Sequence, residues 1–271
     1  NFLYMPLSPD LPYYVRGDDA TFHERFRKSV LFAKSLNCKG MVLDSKSDAL
    51  FQEYRWDGYG YGPDLTPADV EKGATSFGQA LAAIFGQELP EGDFLLLCVP
   101  PKSSGPLWWP LFRGLVEGFQ AFPKVRLSLL IQSREAFLRP DDLLRRHSEY
   151  EAWIEGQLTK KQQEYWLQRG GGLSMGLCPL ACDIQGEGDD RKATVSARCS
   201  EGDFREQLSA SQMLSRRYVW IDSQDGPCWW KVAAKEAEKF SDSLQMSGDV
   251  LLQQSRTEYL LPKDYSSKMP Y

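Results

Sequence analysis

Acidic residues recur where apolar runs of this chain stop. Asp44 closes the run Lys39-Gly-Met-Val-Leu-Asp44, Glu135 follows the run from Val125 to Gln132, and Asp222 closes Tyr218-Val-Trp-Ile-Asp222. Two carboxyl groups flanking one bond are the minimal equipment for hydrolysing a glycoside: one delivers a proton, the other is ionised as base or nucleophile. Each acid taken alone also has a structural use, because carboxylates cap helices and accept from turn amides at strand ends.

A second group of residues is aromatic. Glu53, Tyr54, Trp56, Tyr59 and Tyr61 fall in the glycine-rich, non-periodic stretch that follows Asp44, and Gln224 and Trp229 follow Asp222. Sugar rings have apolar faces that stack on Trp and Tyr, and hydroxyls that bond to carboxylates and amides. These residues supply both kinds of group. The competing use of the first stretch is a self-packed loop over one end of the fold. Neighbouring residues on a helix or strand face different ways, so one member of each pair Trp108-Trp109 and Trp229-Trp230 is expected in the core. Arg145-Arg146 and Lys160-Lys161 read as solvated helix faces.

Other chemistries lack their residues. No Gly-x-Gly-x-x-Gly or Walker-type loop follows any strand, so a nucleotide-dependent α/β enzyme is the weaker alternative. No Gly-x-Ser-x-Gly elbow occurs, and the two histidines, His23 and His147, have no strand-end setting. Cys178 and Cys182 have a three-residue spacing but no histidine near them in sequence, so no metal and no cofactor is expected. The six cysteines fit buried thiols, or one or two disulfides in a secreted chain.

The elements that would position the acids alternate. Strands are expected at 1–7, 39–44, 93–99, 125–132, 172–177 and 218–222. Between them, Phe22, Phe26, Val30 and Phe32 mark a helix over 21–35. Thr66-Pro67-Ala68-Asp69 opens another, with Thr66 as N-cap and Pro67 at the first helical position. That helix runs to about Phe85 with Val70, Phe77, Leu81 and Ile84 inward. Further helices are expected over 107–122 and 201–214, and one or two between Pro140 and Arg169, burying Leu143, Leu144, Trp153, Ile154, Leu158 and Trp166. A polar loop covers roughly 186–192, and a short strand at 249–253 is a further candidate.

Alternation of this kind points to a parallel α/β fold, here a (β/α)8 TIM-barrel-like domain over 1–240 with an extension over 241–271. Only six strands are legible, which places the rest upstream of Asn1 or among weaker segments. In such a barrel the active site lies at the C-terminal ends of the strands, where the acids fall. The 271 residues, 42% hydrophobic, suffice for a core without staples. The net charge of -5 gives no basic footprint for nucleic acid, and no run approaches the roughly 18 apolar residues of a membrane span.

Gly40-Met-Val-Leu-Asp44, Trp56-Asp-Gly-Tyr-Gly-Tyr-Gly-Pro-Asp64-Leu-Thr-Pro67, Trp109-Pro-Leu-Phe-Arg-Gly-Leu-Val-Glu-Gly-Phe119 and Ser215-Arg-Arg-Tyr-Val-Trp-Ile221 with Trp229-Trp230 together resemble glycoside-hydrolase-like TIM barrels of large bacterial proteins. The resemblance implies a secreted or periplasmic protein acting on an oligo- or polysaccharide. Asp44 and Glu135 match its acidic positions and would be the catalytic acids; Asp222 does not match them and would act as an electrostatic or substrate-binding partner. The family pattern has Glu where this chain has Lys46, and Tyr and Glu where it has Asp222 and Gln224. A lysine is no carboxylic acid and a glutamine does not ionise. The alternative is therefore a non-catalytic glycan-binding or assembly module on a degenerate glycosidase barrel.

Overall fold

The computed structural model describes residues 1–7, 20–45, 66–98, 108–131, 139–169, 172–177, 180–185, 192–198, 201–221 and 260–262. In chain order they form β1 (Phe2–Pro6), α1 (Ala20–Ser35), β2 (Gly40–Asp44), α2 (Pro67–Glu88), β3 (Asp93–Cys98), α3 (Trp108–Phe119), β4 (Arg126–Ile131), α4 (Pro140–Gln157) and α5 (Lys160–Gln168). There follow β5 (Gly172–Leu177), β6 (Leu180–Gln185), β7 (Lys192–Arg198), α6 (Glu201–Leu214), β8 (Tyr218–Ile221) and β9 (Leu260–Pro262). The chain divides into two compact units, one of Asn1–Leu130 with Tyr150–Gly172, the other of Ile131–Glu149 with Leu173–Tyr271.

In the first unit the strand order is β1-β2-β3-β4. β2 runs parallel to both neighbours, with Pro6 opposite Asp44 and Gly40 opposite Asp93. Every residue of β3 is buried, as are the first four of β2. Such unbroken apolar runs are what parallel strands covered on both faces require.

The helices of this unit carry their own start and stop signals. α1 buries Phe22, Phe26, Val30 and Ala33. It ends in a Schellman arrangement: Asn37, in the left-handed region at φ 54, donates to Lys34 O, and the Cys38 amide donates to Ala33 O at 2.9 Å. Phe32, on the expected apolar stripe, is instead 55% exposed, because the stripe turns away from it. α2 begins with a capping box in which Thr66 and Asp69 bond reciprocally. The Thr66 side-chain and backbone hydrogen bonds hold the Asp69 carboxyl below the usual carboxylate range. Val70, Phe77, Leu81 and Ile84 all point inward.

α2 crosses α3 at very short range. A Cβ at Gly114 would lie 2.1 Å from the Thr75 carbonyl oxygen, so only glycine lets the two backbones meet there. Around this contact, Phe94 packs against Phe26, Phe85 and Phe119 at centroid separations of 5.1 to 6.3 Å. Trp108 is buried and stacks on Phe112, while its neighbour Trp109 is half-buried against Trp153. One member of that pair is in the core, as strand and helix geometry demands.

The charged region from 140 to 169 is two helices. Thr159 starts the second with its own capping box to Gln162, and the Gln163 side chain donates to the carbonyls of Glu155 and Leu158 at the break. Leu143, Ile154, Leu158 and Trp166 are buried and Trp153 is half-buried, but Leu144 is exposed, one step around the helix from Leu143.

In the second unit the strand order is β5-β8-β9, and β6 pairs with β7. β5 and β8 are parallel; β8 and β9 are antiparallel, with Val219 opposite Leu261. β6 and β7 form an antiparallel hairpin with a register shift at Ala181/Cys182. Trp220 donates from its indole N–H to Ser174 O at 3.4 Å, and Ser215 to Ser174 Oγ at 3.4 Å.

The architecture is α/β with six parallel strands, β1 to β5 and β8, and six helices among the described residues. It corrects the expectation of a complete (β/α)8 barrel. Two local reasons are visible. The edge of β8 is taken by β9 running the opposite way, and β6 and β7 hydrogen-bond to each other rather than extending the parallel set. The candidate strand at 249–253 lies outside the described residues.

Candidate functional site

Asp44 is the one sequence-predicted acid within the described residues. It is the last residue of β2, partly exposed, at the C-terminal end of a strand flanked on both sides by parallel neighbours. The backbone there is tied down tightly. Leu7 N–H donates to Asp44 O at 2.7 Å, continuing the β1–β2 ladder past Pro6, which has no N–H to give. On the other side the Ser45 amide and hydroxyl both donate to Leu97 O at 2.8 Å, and Ser45 is buried. The strand end is therefore rigid in both directions.

Tyr4 completes the arrangement. Its hydroxyl donates to Asp44 Oδ2. Tyr4 stands opposite Val42, one pleat repeat (roughly 6.6 Å) before the Pro6–Asp44 level, so it leans along the strand to reach the carboxylate. The residue is 56% exposed. Partial burial, then the hydrogen bond to Asp44 and that carboxylate's charge, push the phenol well above the ordinary tyrosine range. Tyr4 is thus a neutral donor at all working pH.

Cys98 ends the adjacent strand β3 and is buried, with Sγ 3.8 Å from Leu130 O. Cys38 is a free, half-buried thiol. Among the described residues no group of three or more His, Cys, Asp or Glu could hold a metal ion. No described helix is long and apolar enough to cross a membrane.

The other predicted catalytic residues, Glu135 and Asp222, lie outside the described residues. So do Lys46 and the predicted sugar contacts Glu53, Tyr54, Trp56, Tyr59, Tyr61, Gln224 and Trp229. Tyr4 is the site residue that sequence reasoning missed. Its signal was a polar-tipped aromatic inside a short apolar run, but pairing with Asp44 spans 40 residues and needs the β1–β2 register. Of the histidines, His147 is buried with Nε2 3.4 Å from Leu173 O, and His23 stacks on Phe77. Arg145 bonds to Asp142 and Glu149 on an exposed helix face, as its charge pattern suggests.

No protein-family model matches the chain, and no curated protein matches it in sequence.

Proposed function

We propose that the protein is carbohydrate-active, a glycoside hydrolase that uses strand-end carboxylates beside an aromatic surface. The observation that supports this reading most is Asp44, a carboxylate at the C-terminal end of a parallel strand, braced by backbone bonds and accepting from a tyrosine that keeps its proton. Strand C-terminal ends are where α/β folds of this kind place reacting groups. Glu135 and Asp222 are the proposed further acids. Glu53, Tyr54, Trp56, Tyr59, Tyr61, Gln224 and Trp229 are the proposed contacts to an oligo- or polysaccharide outside the cytoplasm. The decisive experiment is a glycan array followed by product analysis on the hits. Cleavage that disappears in Asp44→Asn supports hydrolysis.

A second reading is favoured by Lys46 and Gln224, which stand where the resembled barrels carry glutamates. On that reading the chain binds glycan without cutting it. Retained binding with no released product, in the wild type and in Asp44→Asn alike, would establish it.

A further inference from the structure

We propose that Tyr4 is a positioning residue that commits Asp44 to the electron-pair-donating role, base or nucleophile, rather than to that of the acid of the pair. The inference rests on the hydrolase reading and deepens it, because the spacing of acids along the chain leaves either role open to Asp44.

The argument is geometric. A neutral phenol beside a carboxylate donates to it, and the acceptor is Asp44 Oδ2. The phenol holds Oδ2 as an acceptor, which leaves only Oδ1 to carry a proton and fills one of the two places from which an acid would give one. Tyr4 also fixes the plane of the carboxylate: its Cα is locked by β1–β2 pairing, its hydroxyl by Asp44, and Asp44 by Leu7 and the Ser45–Leu97 bonds. The brace is in place before any substrate arrives. In the reaction, Asp44 either takes a proton from water as the water oxygen bonds the anomeric carbon, or bonds that carbon itself. In both cases the glycosidic C–O bond breaks and its oxygen takes a proton from a second carboxylic acid; in the second case water then breaks the Asp44–carbon bond, giving its proton back to that second group. Among the described residues Tyr4 is exposed enough to stand at an open site.

The test uses the full chain on a panel of para-nitrophenyl glycosides and on the unactivated oligosaccharides that the array identifies. An activated aryl leaving group needs little proton delivery. Asp44→Asn is therefore expected to lose turnover of the aryl glycoside as completely as that of the oligosaccharide. Tyr4→Phe, which keeps the ring, is expected to lower kcat about ten- to hundred-fold with KM unchanged, the loss of one charge-assisted hydrogen bond. A third readout needs no turnover. The ionisation of Tyr4, assigned by difference against Tyr4→Phe in tyrosine-ring NMR, is expected to move down towards the ordinary tyrosine range in Asp44→Asn.

Aryl-glycoside turnover surviving in Asp44→Asn would make Asp44 the acid and overturn the inference alone. So would wild-type kcat in Tyr4→Phe, or Tyr4 ionisation that ignores Asp44→Asn. A wild type that cleaves nothing on the panel while Tyr4 still senses Asp44 would sink the hydrolase reading, and the catalytic role with it.

Discussion

Asp93 and Asp44 lie at opposite ends of neighbouring strands, and each has a different kind of partner. Asp93 opens β3 with a side chain 0% exposed, and its Oδ1 accepts from Arg126 Nε at 2.7 Å. Beside it, Lys124 pairs with Glu91 across the same edge. Asp44 closes β2, is partly exposed, and takes its proton donor from a neutral phenol. A buried carboxylate against a guanidinium is spent on folding. The half-exposed Asp44 carboxylate meets solvent as well as the phenol, which is what its proposed catalytic role requires. Burial and partner thus distinguish two acids that strand position alone would not.

The largest expected break of the structural end is Gly40→Ala. A Cβ there would sit 1.8 Å from the Asp93 carbonyl oxygen, which is backbone and cannot step aside. Prying β2 from β3 at this point should cost about 3 kcal/mol. Urea unfolding would show it as a lower midpoint at unchanged slope.

Next come the two aspartates themselves. Asp93→Ala leaves a partly buried guanidinium without its carboxylate. With Arg126 37% exposed, a loss of about 2–3 kcal/mol is expected, below the range for a fully buried pair. Asp44→Asn, which keeps an acceptor for Tyr4, should change stability by less than about 0.5 kcal/mol while removing activity. Equal stability losses in the two variants would erase the distinction.

Alkaline stability sharpens it further. Burial above all raises the Tyr165 phenol, whose hydroxyl donates to Val125 O at 3.3 Å, and Tyr4 is raised as well. In the unfolded chain both lose their protons near pH about 10, whereas the folded chain keeps them. Their contribution is therefore intact below that pH and falls as pH rises above it. Tyr165→Phe should flatten this decline more than Tyr4→Phe, since Tyr165 is buried and Tyr4 is not. Thermal melts between pH 8 and 11 would read it. The smallest effect is expected from Lys124→Ala, whose partner Glu91 is solvent-exposed, with no measurable change in melting temperature.

Much of the described fold is written locally. β5 and α6 fall on their expected bounds, and α2 starts at its Thr66–Pro67 signal, because caps, proline and a continuous apolar run are decided within a few residues. The β6–β7 hairpin also has a local signal. Leu180, Cys182 and Ile184 alternate with smaller or polar residues, as do Ala193, Val195 and Ala197, on either side of a polar stretch. β9 carries no such signal: three residues, Leu260–Pro262, become a strand because β8 offers them an edge.

The amino-acid sequence by itself therefore determined the helices, the buried strands and the placing of an aspartate at a strand's end, since periodicity and capping act over one or two turns of chain. Tertiary structure alone decided that Tyr4 meets Asp44, that α2 and α3 touch at Gly114, and that β9 pairs antiparallel with β8. Each of these depends on strand register or backbone approach between residues about 40 apart or more, where no local preference reaches.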